Sequence, residues 1–490
     1  MGCTLVLALL VRLDAAPPLW WDEGWTLSVA RNWVELGHYG RLLDGQPAPR
    51  GLEASFPVTA SIALAFHLFG VGIYQARLVA VVFTLATLVL MYELTRSFYN
   101  RSIALATLIV VIVMSGRGDM NPLIVGRQVL AEIPMLFFLL AGYLCFLAAE
   151  KRAFVFIPAS ICFWSVALVA KAQSFPFWVL ALALPLLCTL VRQQWRSARL
   201  FGAAFVGSLA LYQCLQYLFA LFAPSPPVSG LAEIVALVLV KETRVSTLIE
   251  TFQFGMPTLL GLCWGLRNFL RSESKLQSHL DLVRFSFLVL AGSWFGWFVF
   301  LSIGYARYMF PPVFLSAVFV AVMLDEWTNH FDVEYMREQS VSVLQKLQFH
   351  WHKLSAFAAT VLIALSLGQS LGGFYGAFVL ASDNSIHDTI RFLNTVTPPN
   401  ALIETFESEL LFLLDRRYHY PPDQVHVELI RRLTFDYRLK IDYDPLAANP
   451  DYLVVGHQSK YMGLYDPYLN TRAFRLVKKF SRYDIYERVR

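Results

Sequence analysis

The chain has 490 residues, of which 57% are hydrophobic and only 15% are charged, and its mean hydropathy is +0.53. Soluble domains carry roughly 25% charged residues, so the composition excludes an ordinary soluble protein and indicates a polytopic membrane protein. The net charge of +5 is small for this length. Because Lys and Arg lie mainly in short loops, the charge indicates membrane topology and not a nucleic-acid partner.

The N-terminus is apolar but lacks the basic residues that open a signal peptide. We therefore expect residues 1–13 to form a short first transmembrane helix. The cysteines all lie in apolar segments, without the spacing of metal ligands, and predict neither a disulfide framework nor a zinc site. They are Cys3, Cys145, Cys162, Cys188, Cys214 and Cys263.

Apolar runs of about 20 residues predict membrane-spanning helices. We expect eleven, at residues 1–13, 74–95, 102–115, 129–149, 153–170, 175–191, 200–222, 248–269, 285–303, 307–325 and 353–376. The basic loops all fall on one side, which is therefore cytoplasmic; they are 96–101, 150–152, 192–199, 267–284 and 326–352. The opposite, outer side then carries 14–73, 116–128, 171–174, 223–247, 304–306 and everything after residue 377.

Segment 55–70 is apolar but short for a span at about 1.5 Å per residue. We expect it to form a re-entrant or interfacial helix within the first external loop, 14–73. If this segment spanned the membrane, every later orientation would flip and the basic loops would lie outside. The charge bias disfavours that arrangement.

Residues 377–490 differ from the rest, because long apolar runs stop and the density of charge rises. Periodicity predicts helices at 385–396 and 407–418, buried strands at 401–406 and 452–457, and a closing strand pair at 474–489. We therefore predict a polytopic α-helical membrane protein. A transmembrane module, 1–376, is followed by a small external α/β domain, 377–490.

Two adjacent carboxylates, Asp22 and Glu23, follow the first span by about ten residues, among several tryptophans. A charged carboxylate beside hydrocarbon is energetically unfavourable. Burial raises its pKa and a nearby cation lowers it, so the pKa can be shifted to a value that suits a general base. The alternative is an interfacial acid pair within an aromatic belt. The next residues place apolar side chains at helical spacing and predict an amphipathic helix lying on the membrane. Arg31 would lie on its polar side, as an acid partner, a phosphate ligand or an interfacial anchor.

A second acidic site follows in segment 116–138, where Arg117, Asp119, Arg127 and Glu132 lie close together. Glu132 lies inside the next apolar run, so it needs a cationic partner, and Arg127 is the nearest candidate. The alternative is a purely structural ion pair.

Isolated cations mark three other outer segments. Lys171 ends one span, and Arg307 opens another between Tyr305 and Tyr308. An ammonium and a guanidinium suit a lipid phosphate, although both positions are also common for snorkelling anchors. The external loop 223–247 adds Lys241 and Arg244. Acids and cations from distant segments thus converge on one membrane face, as expected for an enzyme whose substrate has a charged head and a lipid tail.

Several of these segments together resemble the C-type membrane glycosyltransferases, in the branch of lipid A aminoarabinose transferases and protein O-mannosyltransferases. The resemblance covers most of the chain and rests on "PPLWWDEGWTLSVARNWVELGHYG", "HLFGVGIYQARLVAVVF", "GRQVLAEIPMLFFLLAGYLCF" and "GYARYMFPPVFLSAVFVAV". It implies a polyprenyl-phosphate-linked sugar donor, an acceptor hydroxyl on a glycan, lipid or protein, and direct displacement with inversion.

Carried over residue by residue, the resemblance makes Asp22 the catalytic base and Glu23 its neighbour. Glu132 matches the second acidic position, which often holds Asp. Lys171 and Arg307 become phosphate contacts. Some relatives bind a divalent metal through carboxylates and others need none, so a metal held by Asp22 and Glu132 stays open. The first span is short for the family, which could move Asp22 relative to the membrane. Glu132 has one methylene more than the Asp often found at this position, which changes the distance that its carboxylate can reach.

The family would place the protein in the inner cell membrane with its C-terminal domain outside the cytoplasm. Two alternatives remain at this point. A catalytically degenerate relative would act as a structural subunit, with other membrane proteins as partners. A transporter would be expected to carry internal repeats and polar residues at the bilayer midplane, whereas the polar residues here cluster at one surface.

Overall fold

The computed structural model describes residues 2–114, 117–224, 228–271, 276–346, 350–377, 383–435, 438–471 and 473–489. The predicted end of one span at residue 115 lies outside these residues, as does the stretch that follows the predicted domain boundary at 376–377. The described parts are mostly helical, with a small β-containing domain at the C-terminus.

The N-terminal half contains α1 (Gly2–Leu10), α2 (Trp21–Leu36), α3 (Phe56–Phe69), α4 (Ile73–Phe98), α5 (Arg101–Val113), α6 (Pro122–Val125), α7 (Glu132–Ala148), α8 (Ala153–Ala170), α9 (Phe175–Val191) and α10 (Trp195–Phe222). A short hairpin of β1 (Arg41–Leu43) and β2 (Gln46–Ala48) lies between α2 and α3. The second half of the transmembrane module contains α11 (Leu231–Ala236), α12 (Lys241–Glu250), α13 (Met256–Arg271), α14 (His279–Leu301), α15 (Phe310–Trp327), α16 (Val333–Lys346) and α17 (Trp351–Tyr375).

Each of the eleven predicted spans coincides with a helix. Seven helical segments are long and apolar enough to cross a membrane: Ile73–Phe98, Ala153–Ala170, Ala172–Val191, Trp195–Phe222, His279–Leu301, Ala306–Trp327 and Trp351–Tyr375. The helices at the other four predicted spans are shorter. One of them, α13, continues from α12 through a short π-helix at Thr251–Gly255. The predicted helix at 55–70 is confirmed as α3, which has 14 residues.

The C-terminal domain contains α18 (Ser385–Val396), β3 (Leu402–Thr405), α19 (Ser408–Leu411), β4 (Arg417–His419), α20 (Asp423–Thr434), β5 (Tyr452–Val455), α21 (His457–Met462), α22 (Asp466–Leu469), β6 (Phe474–Lys479) and β7 (Asp484–Arg488). The sheet order is β4-β3-β5-β7-β6. The first three strands are parallel, and β6 and β7 form an antiparallel hairpin. The predicted strands at 401–406, 452–457 and 474–489 are therefore confirmed.

The predicted helix at 407–418 is wrong for most of its length. Only Ser408–Leu411 is helical, and Arg417–His419 forms an edge strand beside β3. Pairing with β3 satisfies the backbone of this segment, which overrides its local helical preference. Helix α20, which begins after two prolines, was not predicted from the sequence.

Two large cores organise the molecule. One lies among the transmembrane helices, and the other joins α2, α3 and the C-terminal domain. Hydrogen bonds fix this second contact: Trp21 Nε1 donates to the carbonyl oxygen of Phe406 at 2.8 Å, and the Ser408 hydroxyl donates to the carbonyl oxygen of Trp21. The segment that contains α2 and α3 and the last hundred residues thus form one packed unit.

Candidate active site

The first turn of α2 points its two acids in different directions. Successive helical residues are about 100° apart, so Asp22 and Glu23 cannot share one environment. The Glu23 side chain is completely buried and accepts hydrogen bonds from Arg77 Nε at 3.0 Å and Arg77 Nη2 at 2.7 Å. The backbone N–H groups of Trp20 and Val129 also donate to it. Glu23 therefore anchors the start of α2 and has no free oxygen for a substrate.

Asp22 faces the other way. Its carboxylate lies 2.6 Å from Arg307 Nη1, and 37% of its side chain is exposed. The same guanidinium reaches Glu132, with 3.3 Å between Arg307 Nε and Glu132 Oε1. Lys171 Nζ donates to that Glu132 oxygen at 2.6 Å. Four of the predicted site residues thus form one network in which two cations link two carboxylates.

Helix ends position this network. Glu132 is the first residue of α7, Lys171 follows the last residue of α8, and Arg307 lies in the 3₁₀ turn Ala306–Met309 that leads into α15. Each side chain belongs to a residue where an apolar helix starts or stops. Polar groups are tolerated there because the helix ends come together at one face of the bundle, away from the hydrocarbon core.

A cavity of about 430 Å³ opens beside the network. Its walls come from α2, the loop before α3, the segment leading into α7, the end of α8, α10 and the C-terminal domain. The polar and aromatic residues that line it are Trp21, Asp22, Thr26, Arg50, Glu53, Ser55, Glu132, Lys171, Gln216, Phe219, Arg307, Tyr308 and His426. This volume is within the range of small-molecule sites.

A second cavity, of about 330 Å³, lies at the opposite end of α15 and is lined by Tyr99, Asp281, Arg284, Asp325 and Glu326 among others. It contains none of the predicted site residues. Because it is remote from the network of Asp22, Glu132, Lys171 and Arg307, we place the candidate active site in the first cavity.

Other predicted site residues lie elsewhere. Arg31 pairs with Glu35 and donates to the carbonyl oxygen of Phe412, so it ties α2 to the C-terminal domain. Arg127, expected to pair with Glu132, instead donates to the carbonyl oxygens of Ala8 and Val11 near the end of α1.

At the C-terminal end of α14, Arg244 donates to the carbonyl oxygens of Val299 and Ser302. Lys241 is exposed. Tyr305 packs against Tyr308 with ring centroids 5.8 Å apart, next to the cavity but outside its lining. Of the two tyrosines, Tyr308 is therefore the one placed to contact a substrate.

Three ionisable residues of the cavity, Arg50, Glu53 and His426, were not predicted from the sequence. Glu53 is buried 3.9 Å from Arg50, and burial raises the pKa of its carboxyl group. His426, on α20, stacks on Trp21 with ring centroids 4.7 Å apart. The apolar spacing of Val425, Leu429 and Leu433 in "DQVHVELIRRLT" was the signal for this helix, but nothing in the sequence relates it to a loop 400 residues earlier.

The carboxylates do not form a metal site by themselves. Across the ranges that the structure describes, no group of three His, Cys, Asp or Glu residues converges on one point. Asp22 and Glu132 both pair with Arg307, whereas a divalent cation takes six or more oxygen ligands. Arg307 pairs with both acids and Lys171 pairs with Glu132, so these two cations already balance the charge of the two carboxylates.

No family model and no curated protein sequence matches the chain. Its structure is similar to that of ArnT from Cupriavidus metallidurans bound to undecaprenyl phosphate, at 14% identity and a TM-score of 0.67, with 100% of this chain and 97% of that chain covered. It is also similar to the oligosaccharyltransferase AglB from Archaeoglobus fulgidus in complex with an inhibitory peptide and a dolichol-phosphate. That match has 10% identity, a TM-score of 0.54, and coverage of 96% and 71%.

A further structure of the Archaeoglobus fulgidus oligosaccharyltransferase, in complex with Zn and sulfate, matches at 12% identity and a TM-score of 0.52, covering 98% of this chain and 72% of that chain. The similarity extends over both the helical module and the C-terminal domain, as the sequence resemblance predicts. The protein is an integral membrane protein whose fold is similar to the folds of ArnT and of the oligosaccharyltransferase AglB.

Proposed function

We propose that the protein transfers a sugar from a polyprenyl-phosphate donor to an acceptor hydroxyl, with inversion at the anomeric carbon. One observation carries this proposal: Asp22, Glu132, Lys171 and Arg307 meet beside a single cavity at one end of the helix bundle. The lipid phosphates bound by the two structural neighbours support a donor of this class.

The donor phosphate would bind to Arg307 and Lys171. A planar guanidinium can hold two phosphate oxygens at once, and an ammonium adds a point charge. Both cations are paired with carboxylates in the structure. A phosphate that binds Arg307 would compete with Asp22 for the guanidinium. Donor binding would therefore release the Asp22 carboxylate, which acts in the next step.

Asp22 would then serve as general base. The acceptor O–H gives its proton to the carboxylate, the acceptor oxygen attacks the anomeric carbon, and the bond from that carbon to the phosphate oxygen breaks. The electron pair leaves with the polyprenyl phosphate, whose charge Arg307 and Lys171 stabilise. A single displacement requires the base on the face opposite the leaving group, as in other inverting sugar chemistry.

Glu132 would hold Lys171 and Arg307 in place without touching the sugar. Its side chain is only 2% exposed, and one of its oxygens contacts both cations. The proposal also includes the division of the chain into a transmembrane module, 1–376, and an external domain, 377–490. It further places the cavity at the outer face of the inner membrane. These points are supported by the distribution of basic loops and by the site residues that cluster at the other end of the helices.

The test uses the full chain in nanodiscs with a panel of undecaprenyl-phosphate-linked hexoses and pentoses. Release of undecaprenyl phosphate reports transfer to any hydroxyl, including water. We expect Asp22→Asn to lower turnover at least about 100-fold, as loss of a general base does, while donor binding persists. The matched control is Glu35→Gln, which removes an exposed carboxylate from the same helix.

For the phosphate site, Lys171→Ala and Arg307→Ala should weaken donor binding, whereas Lys151→Ala, an exposed residue before the other end of α8, should not. Turnover like that of the wild type in Asp22→Asn would remove the base assignment. Unchanged donor affinity in both cation variants would move the phosphate elsewhere. If no donor in the panel is consumed by the wild type, the proposed activity is wrong.

A further inference from the structure

His426 brings the C-terminal domain into the cavity that contains Asp22 and Arg307. Its ring lies nearly parallel to that of Trp21, with an interplanar angle of 18°, and Phe406 packs against it at 5.9 Å. Trp21 immediately precedes Asp22. The imidazole is therefore fixed by stacking within the same corner of the cavity as the proposed base.

The helix that carries His426 is itself held firmly. Asp423, in its first turn, accepts two hydrogen bonds from Arg41, at 2.8 and 2.9 Å, and both side chains are buried. The Arg41 guanidinium also lies over the rings of Trp25 and Tyr420. The β1–β2 hairpin therefore fixes the position of the imidazole, through the contact between Arg41 and Asp423.

No part of the described chain uses the polar atoms of this imidazole. Nδ1 of His426 is buried and has no hydrogen-bond partner among the described residues. The ring as a whole is only half-buried and lines the cavity, so Nε2 is the nitrogen that a ligand can reach and to which a ligand hydroxyl can hydrogen-bond. Burial also lowers the pKa of His426, although the charges of Asp22 and Asp423 oppose this effect.

We infer that His426 binds the acceptor and orients its attacking hydroxyl towards Asp22. The inference rests on the proposed function and goes beyond it by assigning the acceptor side of the cavity to the C-terminal domain. A neutral imidazole offers one donor and one acceptor nitrogen, which matches a hydroxyl group. A phosphate would instead seek the cations Arg307 and Lys171.

The acceptor side has a consistent composition. Trp21 gives an aromatic face of the kind on which the apolar face of a sugar ring or a lipid chain can pack. Thr26 and Glu53 also line the cavity, and Glu53 Oε1 is buried without a hydrogen-bond partner in the described structure. The cavity therefore has two parts: Arg307 and Lys171 can take the donor phosphate, whereas Trp21, Thr26, His426 and the Arg50–Glu53 ion pair (3.9 Å) offer an aromatic face and hydrogen-bonding groups to a hydroxyl-bearing acceptor.

The test compares three substitutions of His426 in the full chain, with glycerol as the hydroxyl probe and undecaprenyl phosphate release as the signal. His426→Phe keeps an aromatic ring against Trp21 but removes both nitrogens. His426→Asn places an amide near the position of Nδ1, and His426→Gln places one near Nε2. The KM for glycerol and the KM for the donor are measured separately.

We expect His426→Phe to raise the KM for glycerol about tenfold, the usual effect of one lost hydrogen bond, and to slow donor hydrolysis by water. The KM for the donor should stay unchanged. Because Nε2 is the nitrogen that a ligand in the cavity can reach, His426→Gln should restore most of the glycerol affinity, whereas His426→Asn should not. A purely structural role would be preserved in His426→Phe, which retains the stack.

Two outcomes overturn the inference. The first is a His426→Phe variant with wild-type KM for glycerol and wild-type hydrolysis. The second is an equal loss of donor and glycerol affinity, which would indicate general damage to the cavity. A wild-type protein that releases no undecaprenyl phosphate would instead reject the proposed function, and the acceptor assignment with it.

Discussion

Glu23 and Arg77 form a two-point ion pair in which neither side chain is exposed. Arg77 also donates to the carbonyl oxygens of Leu13 and Pro17. One guanidinium thus joins α4, the end of the first apolar segment and the start of α2. This pair determines which way α2 faces, and therefore that Asp22, the preceding residue, faces the cavity.

Loss of this pair should destabilise the protein strongly. Removing one partner of a buried ion pair costs about 3–5 kcal/mol, because the other charge stays buried and unpaired. Arg77→Ala should lower the melting temperature in detergent by several degrees. Arg96→Ala breaks the exposed pair with Glu93 and should cost less than about 1 kcal/mol. Equal melting temperatures for the two variants would contradict the anchoring role.

Gly24 should tolerate no larger residue. A Cβ atom at this position would lie 2.2 Å from the carbonyl oxygen of Ser408, far inside van der Waals contact. We expect Gly24→Ala to push α2 away from the C-terminal domain, so that transfer falls and proteolysis between the two increases. Gly368→Ala, in open space on α17, is the control and should leave both unchanged. A fully active Gly24→Ala protein would refute the close packing.

The stability of the C-terminal domain should fall at alkaline pH. Burial, together with the charge of Glu407, raises the pKa of Glu409 from 4.5 to about 8. Since the folded state holds this proton more tightly than the unfolded state, the stabilisation is complete below pH 4.5. It is lost as the pH rises through about 8.

Glu409→Gln mimics the neutral carboxyl group and should therefore reduce the fall in melting temperature between pH 6 and pH 9. Glu487→Gln removes an exposed carboxylate from the same domain and should leave that fall intact. A pH dependence that is the same in both variants would show that Glu409 titrates normally.

Transfer should not depend on a divalent metal. The carboxylates beside the cavity are paired with Arg307 and Lys171, which can neutralise the leaving phosphate. We expect turnover to be the same after treatment with EDTA and after addition of Mg²⁺ or Mn²⁺. A tenfold loss on chelation that a metal restores would instead place a cation between Asp22 and Glu132.

Topology can be tested with a membrane-impermeant maleimide on intact cells. A cysteine at Lys440, which is exposed in the C-terminal domain, should be labelled from outside, as should one near Asp383. A cysteine at Glu334, exposed on α16, should be labelled only after permeabilisation. The reverse pattern would mean that α3 or another short helix changes the number of crossings.

The sequence was sufficient to find the charged network, because Asp22, Glu132, Lys171 and Arg307 are polar residues at or near the ends of apolar runs. The charge of the loops placed those ends on one face. What the sequence could not assign was the pairing. Arg127 is nearer to Glu132 along the chain than Lys171 is. Its guanidinium nevertheless donates hydrogen bonds to the carbonyl oxygens of Ala8 and Val11, at the end of α1.

The acceptor side of the cavity was beyond sequence reasoning for a different reason. His426 lies on a helix that was not predicted, and its relation to Trp21 depends on how a separate domain docks onto the first loop. Such docking is decided by buried contacts such as Arg41 with Asp423. These contacts join residues almost 400 positions apart, and no local pattern encodes them.

The packing of α2 against α19 and α20 also has a consequence for biogenesis. The wall of the cavity is completed by His426 of the C-terminal domain, so a nascent polypeptide that has already inserted its helices still lacks this residue and the surface against which α2 packs. Synthesis of the last hundred residues is therefore the step that creates a competent site. A chain whose C-terminal domain has not yet been made therefore has an incomplete cavity.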